Sequence, residues 1–174
     1  FVFLGAFFYA IVYTVWLKRR TWLNIVFGGL AGSWAVLAGA TAADPQLGAV
    51  PLALALVLFL WTPPHFWSLA IAFRDDYAAA GVPMLPVVVG DQRAANTIFA
   101  STLALVAASL LPLAFGLGPI YFAGAAIGGF LFIQKAWLLT RQPNRKTAMV
   151  CFHASLMQLT LVLCAAIVDT QLRF

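Results

Sequence analysis

Long uncharged apolar runs alternate with short punctuated segments along the whole chain. Six runs stand out, at residues 2–17, 23–43, 51–73, 97–115, 120–139 and 149–168, each bounded by charge, proline or glycine. None keeps the two-residue alternation of a barrel strand, and each is about twice the roughly 10 residues such a strand needs. Inside a bilayer every backbone donor and acceptor must be satisfied within the segment, which leaves the helix as the spanning element. The expected fold is all-α: a polytopic transmembrane helix bundle of six spans.

Charge divides the connections into two kinds. Lys18, Arg19 and Arg20 follow the first run, and Arg74, Asp75, Asp76, Asp91 and Arg93 follow the third. Arg141, Arg145 and Lys146 follow the fifth, with Lys135 near the same end. The even-numbered runs are followed by Asp44, by the uncharged Gly116-Leu117-Gly118-Pro119, and by Asp169 and Arg173. By the positive-inside rule the odd-numbered connections are cytoplasmic, and the chain starts and ends on the outer side. An apolar run begins at residue 1 with no leader before it, so residues 1–174 are expected to form one incomplete transmembrane domain of a longer protein.

Composition agrees with a membrane chain. Of 174 residues, 64% are hydrophobic and 9% charged, against about 25% charged in soluble domains. A water-soluble globule and a disordered chain are both excluded. The net charge of +5 would suit nucleic acid, but the basic residues sit in short connections, so no nucleic-acid partner is expected. Cys151 and Cys164 share one run and would lie roughly 20 Å apart on a helix, beyond disulfide reach.

The connection from Arg74 to Asn96 is long for a bundle, where about 2–8 residues is usual, and it holds three of the five acids. Asp75 and Asp76 offer hard oxygens suited to Mg²⁺, which binds one or two carboxylates together with substrate phosphates; the alternative is a solvated pair. Lys18, Arg19 and Arg20, expected on the same face, would suit a diphosphate, or serve as topology anchors. In Trp61-Thr62-Pro63-Pro64-His65-Phe66-Trp67 the two prolines are expected to kink the third span. His65 would sit about 12 Å deep, facing a cavity or bonded to a neighbouring helix. Phe66, Trp67 and Tyr77 could line an apolar tunnel or simply pack. His153 suits iron or a propionate partner, Lys135 is expected to snorkel, and Asp169 reads as an outer-surface anchor. Gly28-x-x-x-Gly32 and Gly124-x-x-x-Gly128 would permit close helix approach.

Longer blocks carry a resemblance. Tyr13-Thr14-Val15-Trp16-Leu17-Lys18-Arg19-Arg20-Thr21, with Asn24 and Gly28-Gly29-Leu30-Ala31-Gly32, resembles the middle of the protoheme IX farnesyltransferase (heme O synthase) family of the UbiA prenyltransferase superfamily. The Trp61–Trp67 block, followed by Asp75-Asp76-Tyr77-Ala78-Ala79-Ala80-Gly81-Val82-Pro83-Met84-Leu85-Pro86-Val87-Val88, looks like the most diagnostic part of that family. The resemblance covers essentially the whole chain and weakens beyond Ala94. It implies a UbiA-type bundle of roughly nine spans, of which these six are the later part.

That family transfers a farnesyl group from farnesyl diphosphate to a vinyl group of heme b (protoheme IX), giving heme O. The resemblance implies Mg²⁺ held with the diphosphate, heme b as substrate rather than cofactor, and a bacterial cytoplasmic (inner) membrane with its site loops on the cytoplasmic face. Heme A synthase or oxidase assembly proteins are the implied protein partners. Carried over by position, Asp75 and Asp76 are metal and catalytic residues, and Lys18 and Arg19 contact the diphosphate. Tyr13, Asn24, His65, Phe66, Trp67, Arg74, Tyr77 and His153 are the substrate-binding set, with His65 on the heme side. The first acidic motif of the superfamily is absent from the chain. The second lacks the D-x-x-x-D spacing of the quinone-type enzymes, as is usual for the heme branch, and Ser33-Trp34-Ala35-Val36 replaces paired prolines after Gly32. Two rivals are a UbiA-type enzyme acting on an aromatic quinone precursor and a transporter built on the proline-broken third helix. Charges crowded on one face and the lack of a repeat speak against the transporter.

Overall fold

The structure, a computed structural model, describes residues 1–172; Arg173 and Phe174 lie outside the described residues. The chain runs through α1 (Val2–Phe7), a π-helical stretch (Phe8–Leu17), α2 (Asn24–Ala43), α3 (Ala49–Ala72), α4 (Arg74–Ala79) and α5 (Leu85–Val89). It continues through α6 (Asp91–Ala108), α7 (Leu111–Ala114), α8 (Pro119–Arg141) and α9 (Arg145–Gln171). No strand occurs among the described residues. Five helical segments are long and apolar enough to cross a membrane: α2, α3, α6 with α7, α8 and α9. The expected six full spans are therefore corrected to five plus a shorter apolar helix, Val2–Leu17. Sixteen α-helical residues would reach only about 24 Å, short of the roughly 30 Å hydrocarbon core. Its second part is also wound more widely, as in the five-residue bond from Lys18 N to Tyr13 O (2.8 Å).

Four helices close a ring: α3 packs on α6 and α9, and α8 packs on the same two. Ile98, Leu105, Phe132, Leu139 and Val162 are buried between them. On another side of α3 lies α2, which carries α1 and the π-helical stretch as an outer arm. The glycine pairs make these approaches possible. A Cβ on Gly124 would stand 2.5 Å from Ala165 Cβ, and one on Gly128 would stand 3.0 Å from Gln158 Cα. Both glycines therefore seat α8 directly on α9. A Cβ on Gly28 would likewise meet the Tyr13 ring at 2.8 Å.

The prolines do not break α3, which remains one helix from Ala49 to Ala72 with Pro63 and Pro64 inside it. Proline removes two i→i−4 donors, but packing against α2, α6 and α9 holds the helix axis together. Nearby hydroxyls add backbone contacts: Thr62 Oγ1 donates to Leu58 O (2.9 Å) and Ser68 Oγ to Pro64 O (2.6 Å).

The long connection after Arg74 is also corrected. It folds into α4 and α5, and α6 begins at Asp91 rather than near Thr97. Gly81 (φ +66°) and Gly90 (φ +84°) make the turns after α4 and α5, in a backbone region that side-chain-bearing residues rarely enter. Asp169 is not a surface anchor. It is buried and accepts from the backbone N–H of Gly118 (2.7 Å) and Tyr121 (3.4 Å), capping the N-terminus of α8. Tyr121 Oη donates to Ser109 O (2.8 Å), which ties that end to the α6–α7 break. At the opposite end of α9, Asn144 and Thr147 form a reciprocal capping box, and Thr147 Oγ1 also donates to Gln142 O.

Candidate functional site

Polar chemistry collects where the ends of the π-helical stretch and α3 meet α4 and the start of α9. Three neighbouring clefts define the place. The first, about 350 Å³, is lined by Lys18, Phe73, Asp76, Tyr77, Ala80 and Val82. The second, about 500 Å³, is lined by the segment Ile71–Asp76 together with Asp91 and Arg145. The third, about 250 Å³ and mostly apolar, is lined by Tyr9, Tyr13, Lys18, Ile25, Gly28, Thr62 and Phe66. Asp76 and Phe73 belong to both the first and the second cleft, and Lys18 joins the first to the third.

This juxtaposition follows from local structure. Phe73 ends α3 with φ −123° and ψ 34°, so the chain turns sharply and α4 carries Asp75 and Asp76 in its first turn. Both acids are solvent-exposed. Arg74, from the expected binding set, pairs with Asp91 across the second cleft (3.6 Å). Tyr77 is half-buried, and burial pushes its phenol above its ordinary value. It therefore stays a hydrogen-bond donor at neutral pH, beside Asp76 and Lys18.

Lys18 is held from behind. Asn24 is fully buried, and its Nδ2 donates to Lys18 O (3.1 Å), while its Oδ1 has no protein partner among the described residues. Asn24 thus fixes the turn that presents Lys18. The Lys18 ammonium lies 6.0 Å from the Tyr13 ring centroid. Arg19 is exposed and lines none of the three clefts.

The third-span motif divides. Phe66 lines the apolar cleft opposite Tyr13. Trp67 is buried, packs on Trp22 (ring centroids 6.0 Å apart), and lines none of the clefts. His65 takes the second of its two alternatives: it bonds a neighbouring helix. Its ring lies between Trp61 (4.0 Å) and Phe152 (4.4 Å), and Nδ1 is 2.7 Å from Ser155 Oγ on α9. Ser155 Oγ donates to Phe152 O (2.6 Å), which assigns Nδ1 as the donor in the His65 contact. Trp61 Nε1 adds a bond to Ser155 O (2.8 Å), so the motif clamps α3 to α9. His153 is exposed on α9 with Nδ1 bonded to Met149 O (2.7 Å), away from the clefts.

Reasoning from the sequence missed Arg145 and Asp91 as neighbours of the acidic pair, and Tyr9, Gly28 and Thr62 as walls of the apolar cleft. Gly28 carries a local signal, its place in a small-residue pair. Arg145 carries none, because it lies about seventy positions from Asp76.

The residues present fit one half of a metal–diphosphate site. Asp75 and Asp76 supply the one or two carboxylates Mg²⁺ takes alongside phosphate oxygens. Among the described residues, no cluster of three or more His, Cys, Asp or Glu could hold a metal by itself.

Comparison with known proteins places the chain. The description "UbiA prenyltransferase family" matches residues 1–162. A relative called "Protoheme IX farnesyltransferase 2", from Paramagnetospirillum magneticum, is 62% identical over 168 residues, which is 97% of this chain and 58% of the relative. "Protoheme IX farnesyltransferase 1" from Cenarchaeum symbiosum is 42% identical over 174 residues, 100% of this chain and 59% of the relative. The chain thus spans somewhat under 60% of the length of these two relatives. A solved structure from work on digeranylgeranylglyceryl phosphate synthase in membranes shares the fold, with TM-score 0.74 and 22% identity over 96% of this chain and 59% of that one. Five spanning helices, a one-ended polar cleft and these matches lead to one assignment: the chain is an integral membrane protein that belongs to the UbiA prenyltransferase family.

Proposed function

We propose that the protein of which this chain is a part transfers a farnesyl group from farnesyl diphosphate to a vinyl group of protoheme IX, giving heme O. The observation that carries this reading is the meeting of Asp76, Lys18 and Tyr77 at one cleft whose Lys18 also opens onto an apolar one. A prenyl diphosphate is a trianionic head on an apolar tail, and the two clefts match those halves. Asp75 and Asp76 would hold Mg²⁺, which when bound offsets charge on the departing diphosphate. Lys18, positioned by Asn24, and the Tyr77 phenol donate to diphosphate oxygens. Tyr13 and Phe66 face the isoprenoid and present ring faces to developing positive charge at its allylic carbon. The C1–O bond of farnesyl diphosphate breaks with its electron pair going to diphosphate. The terminal vinyl carbon of heme supplies the pair for the new C–C bond, and water adds to the cation left on the other vinyl carbon and gives up a proton to solvent, completing the hydroxyethylfarnesyl group. The names of relatives 42–62% identical to the chain support heme as acceptor.

In this reading residues 1–174 are the later part of a roughly nine-span domain, and the preceding part supplies the first acidic motif. His65 acts from behind the site, by holding α3 on α9. Arg19 and His153 would reach substrate only through walls that the preceding part supplies. The clefts face the cytoplasm of a bacterial inner membrane, and heme A synthase or oxidase assembly proteins receive the product.

Orientation can be read by chemical labelling. In full-length protein with Cys164 replaced by Ser, a cysteine at Gln92 or Gln142 should be protected from an impermeant thiol reagent outside the cell. One at Gln46 should react. Labelling of Gln92 from outside would place the clefts on the wrong face. The activity itself is tested by heme O accumulation, measured by chromatography, in membranes lacking their own synthase; its absence with well-inserted full-length protein would refute the proposal.

A further inference from the structure

One cation beside the acidic pair has no assigned work. Arg145 lines the same cleft as Asp75 and Asp76, and its guanidinium lies 5.1 Å from the centroid of the Phe73 ring. Phe73 and Asp76 also line the Lys18 cleft, so Lys18 and Arg145 flank the acids from two sides. Arg74 is already paired with Asp91, whereas Arg145 makes no ion pair among the described residues. Arg145 is solvent-exposed, and its backbone is placed by the helix cap. It is the first residue of α9, inside the Asn144–Thr147 capping box, and Thr147 is tied back to Gln142.

Electrostatics make this corner unusual. A cation in the first turn of a helix opposes the macrodipole, which favours negative charge there. Lys146 follows at the next position, and the first turn of α9 contains no acid. A 27-residue helix thus directs its positive end and an unpaired guanidinium at a cleft holding two carboxylates. The acids alone do not suit an anion. With a divalent cation they accept a trianionic diphosphate, but a negative excess remains that Lys18 alone does not remove. Guanidinium is well matched to the residue because its fork takes two phosphate oxygens at once.

We propose that Arg145 is a further substrate-binding residue, placing its guanidinium on oxygens of the diphosphate held at Asp75 and Asp76. The inference rests on the prenyl diphosphate reading above and adds a residue from the turn between α8 and α9 to the site.

The test uses detergent-purified full-length protein titrated with inorganic pyrophosphate in the presence of Mg²⁺, followed by thermal unfolding. Arg145→Gln should raise the half-saturating pyrophosphate concentration about tenfold, the loss expected for one charge-assisted contact. Arg145→Lys should raise it less, because charge is kept and the fork is lost. The KM for farnesyl diphosphate should rise with it, while the KM for protoheme stays unchanged. An unaltered pyrophosphate titration in Arg145→Gln would overturn the proposal, as would a rise in the protoheme KM alone, which would assign the guanidinium to a propionate. If Arg145→Gln lowers the melting temperature of ligand-free protein, Arg145→Lys decides by the same criteria. Asp75→Asn/Asp76→Asn run alongside separates the two levels. Binding lost there but intact in Arg145→Gln removes only the arginine, whereas wild-type protein that ignores pyrophosphate removes the diphosphate reading as well.

Discussion

Full-length protein carrying both Asp75→Asn and Asp76→Asn is expected to form heme O at least about 10²–10³-fold more slowly than wild type. The two acids sit in the first turn of α4, exposed and lining the cleft that Arg145 also enters. Neither supports the fold by burial, so their amides should leave the protein inserted and its melting temperature little changed. What disappears is the negative charge that would hold a divalent cation against the diphosphate. Removing one charge-stabilising contact to a transition state typically costs a factor of 10²–10³, and here two ligands of one ion are lost together. Protoheme binding should survive. Heme O accumulation in membranes lacking their own synthase, set beside protein level, measures the effect. Wild-type accumulation from the double variant would remove Asp75 and Asp76 from the chemistry.

The 174-residue chain expressed alone is expected to make no heme O. It supplies one acidic motif, and among the described residues no group of three or more metal-capable side chains comes together. This pair alone supplies a divalent cation with few carboxylates, and Lys18 and Arg145 leave part of the charge of the acids and diphosphate unbalanced beside a low-dielectric bundle. The outer arm points the same way. Residues Val2–Phe7 and Phe8–Leu17 include no buried residue, and Phe3 is 91% exposed. Tyr9 and Tyr13 then form one wall of the apolar cleft without a layer behind them. Co-expression with the preceding part should restore some activity, since membrane helices can insert separately and then associate. Appreciable heme O from the chain alone would contradict the two-motif reading. The closed ring of α3, α6, α8 and α9 should still form, so insertion and activity separate in this experiment.

Much of this architecture is legible in the sequence because apolar length and charge act locally. A run of about 20 uncharged apolar residues has one bilayer solution, and five such runs are helices here. Asp75 and Asp76 stand out because they interrupt the end of such a run. Features that depend on how helices meet are not legible in this way. Whether His65 faces a cavity or a neighbour is decided by Ser155 and Phe152, ninety and eighty-seven positions away. Arg145 looks like a topology charge until α9 is placed beside α3. Asp169 looks like an anchor until the start of α8 is found folded onto it. The segment after Arg74 reads as a long polar loop in the sequence, yet Gly81 and Gly90 let it fold as two short helices. Pro63 and Pro64 mark a kink in the sequence, and α3 runs through them as one helix packed on three sides.

The most direct test of the account is a competition for the acceptor. Purified full-length protein would receive Mg²⁺, farnesyl diphosphate, and equal amounts of protoheme IX and a hydroxybenzoate-type quinone precursor. Products would be separated by chromatography and weighed by mass spectrometry. The account predicts heme O, with diphosphate released in equal amount and the aromatic acid unmodified. A farnesylated aromatic acid with protoheme left intact would contradict it.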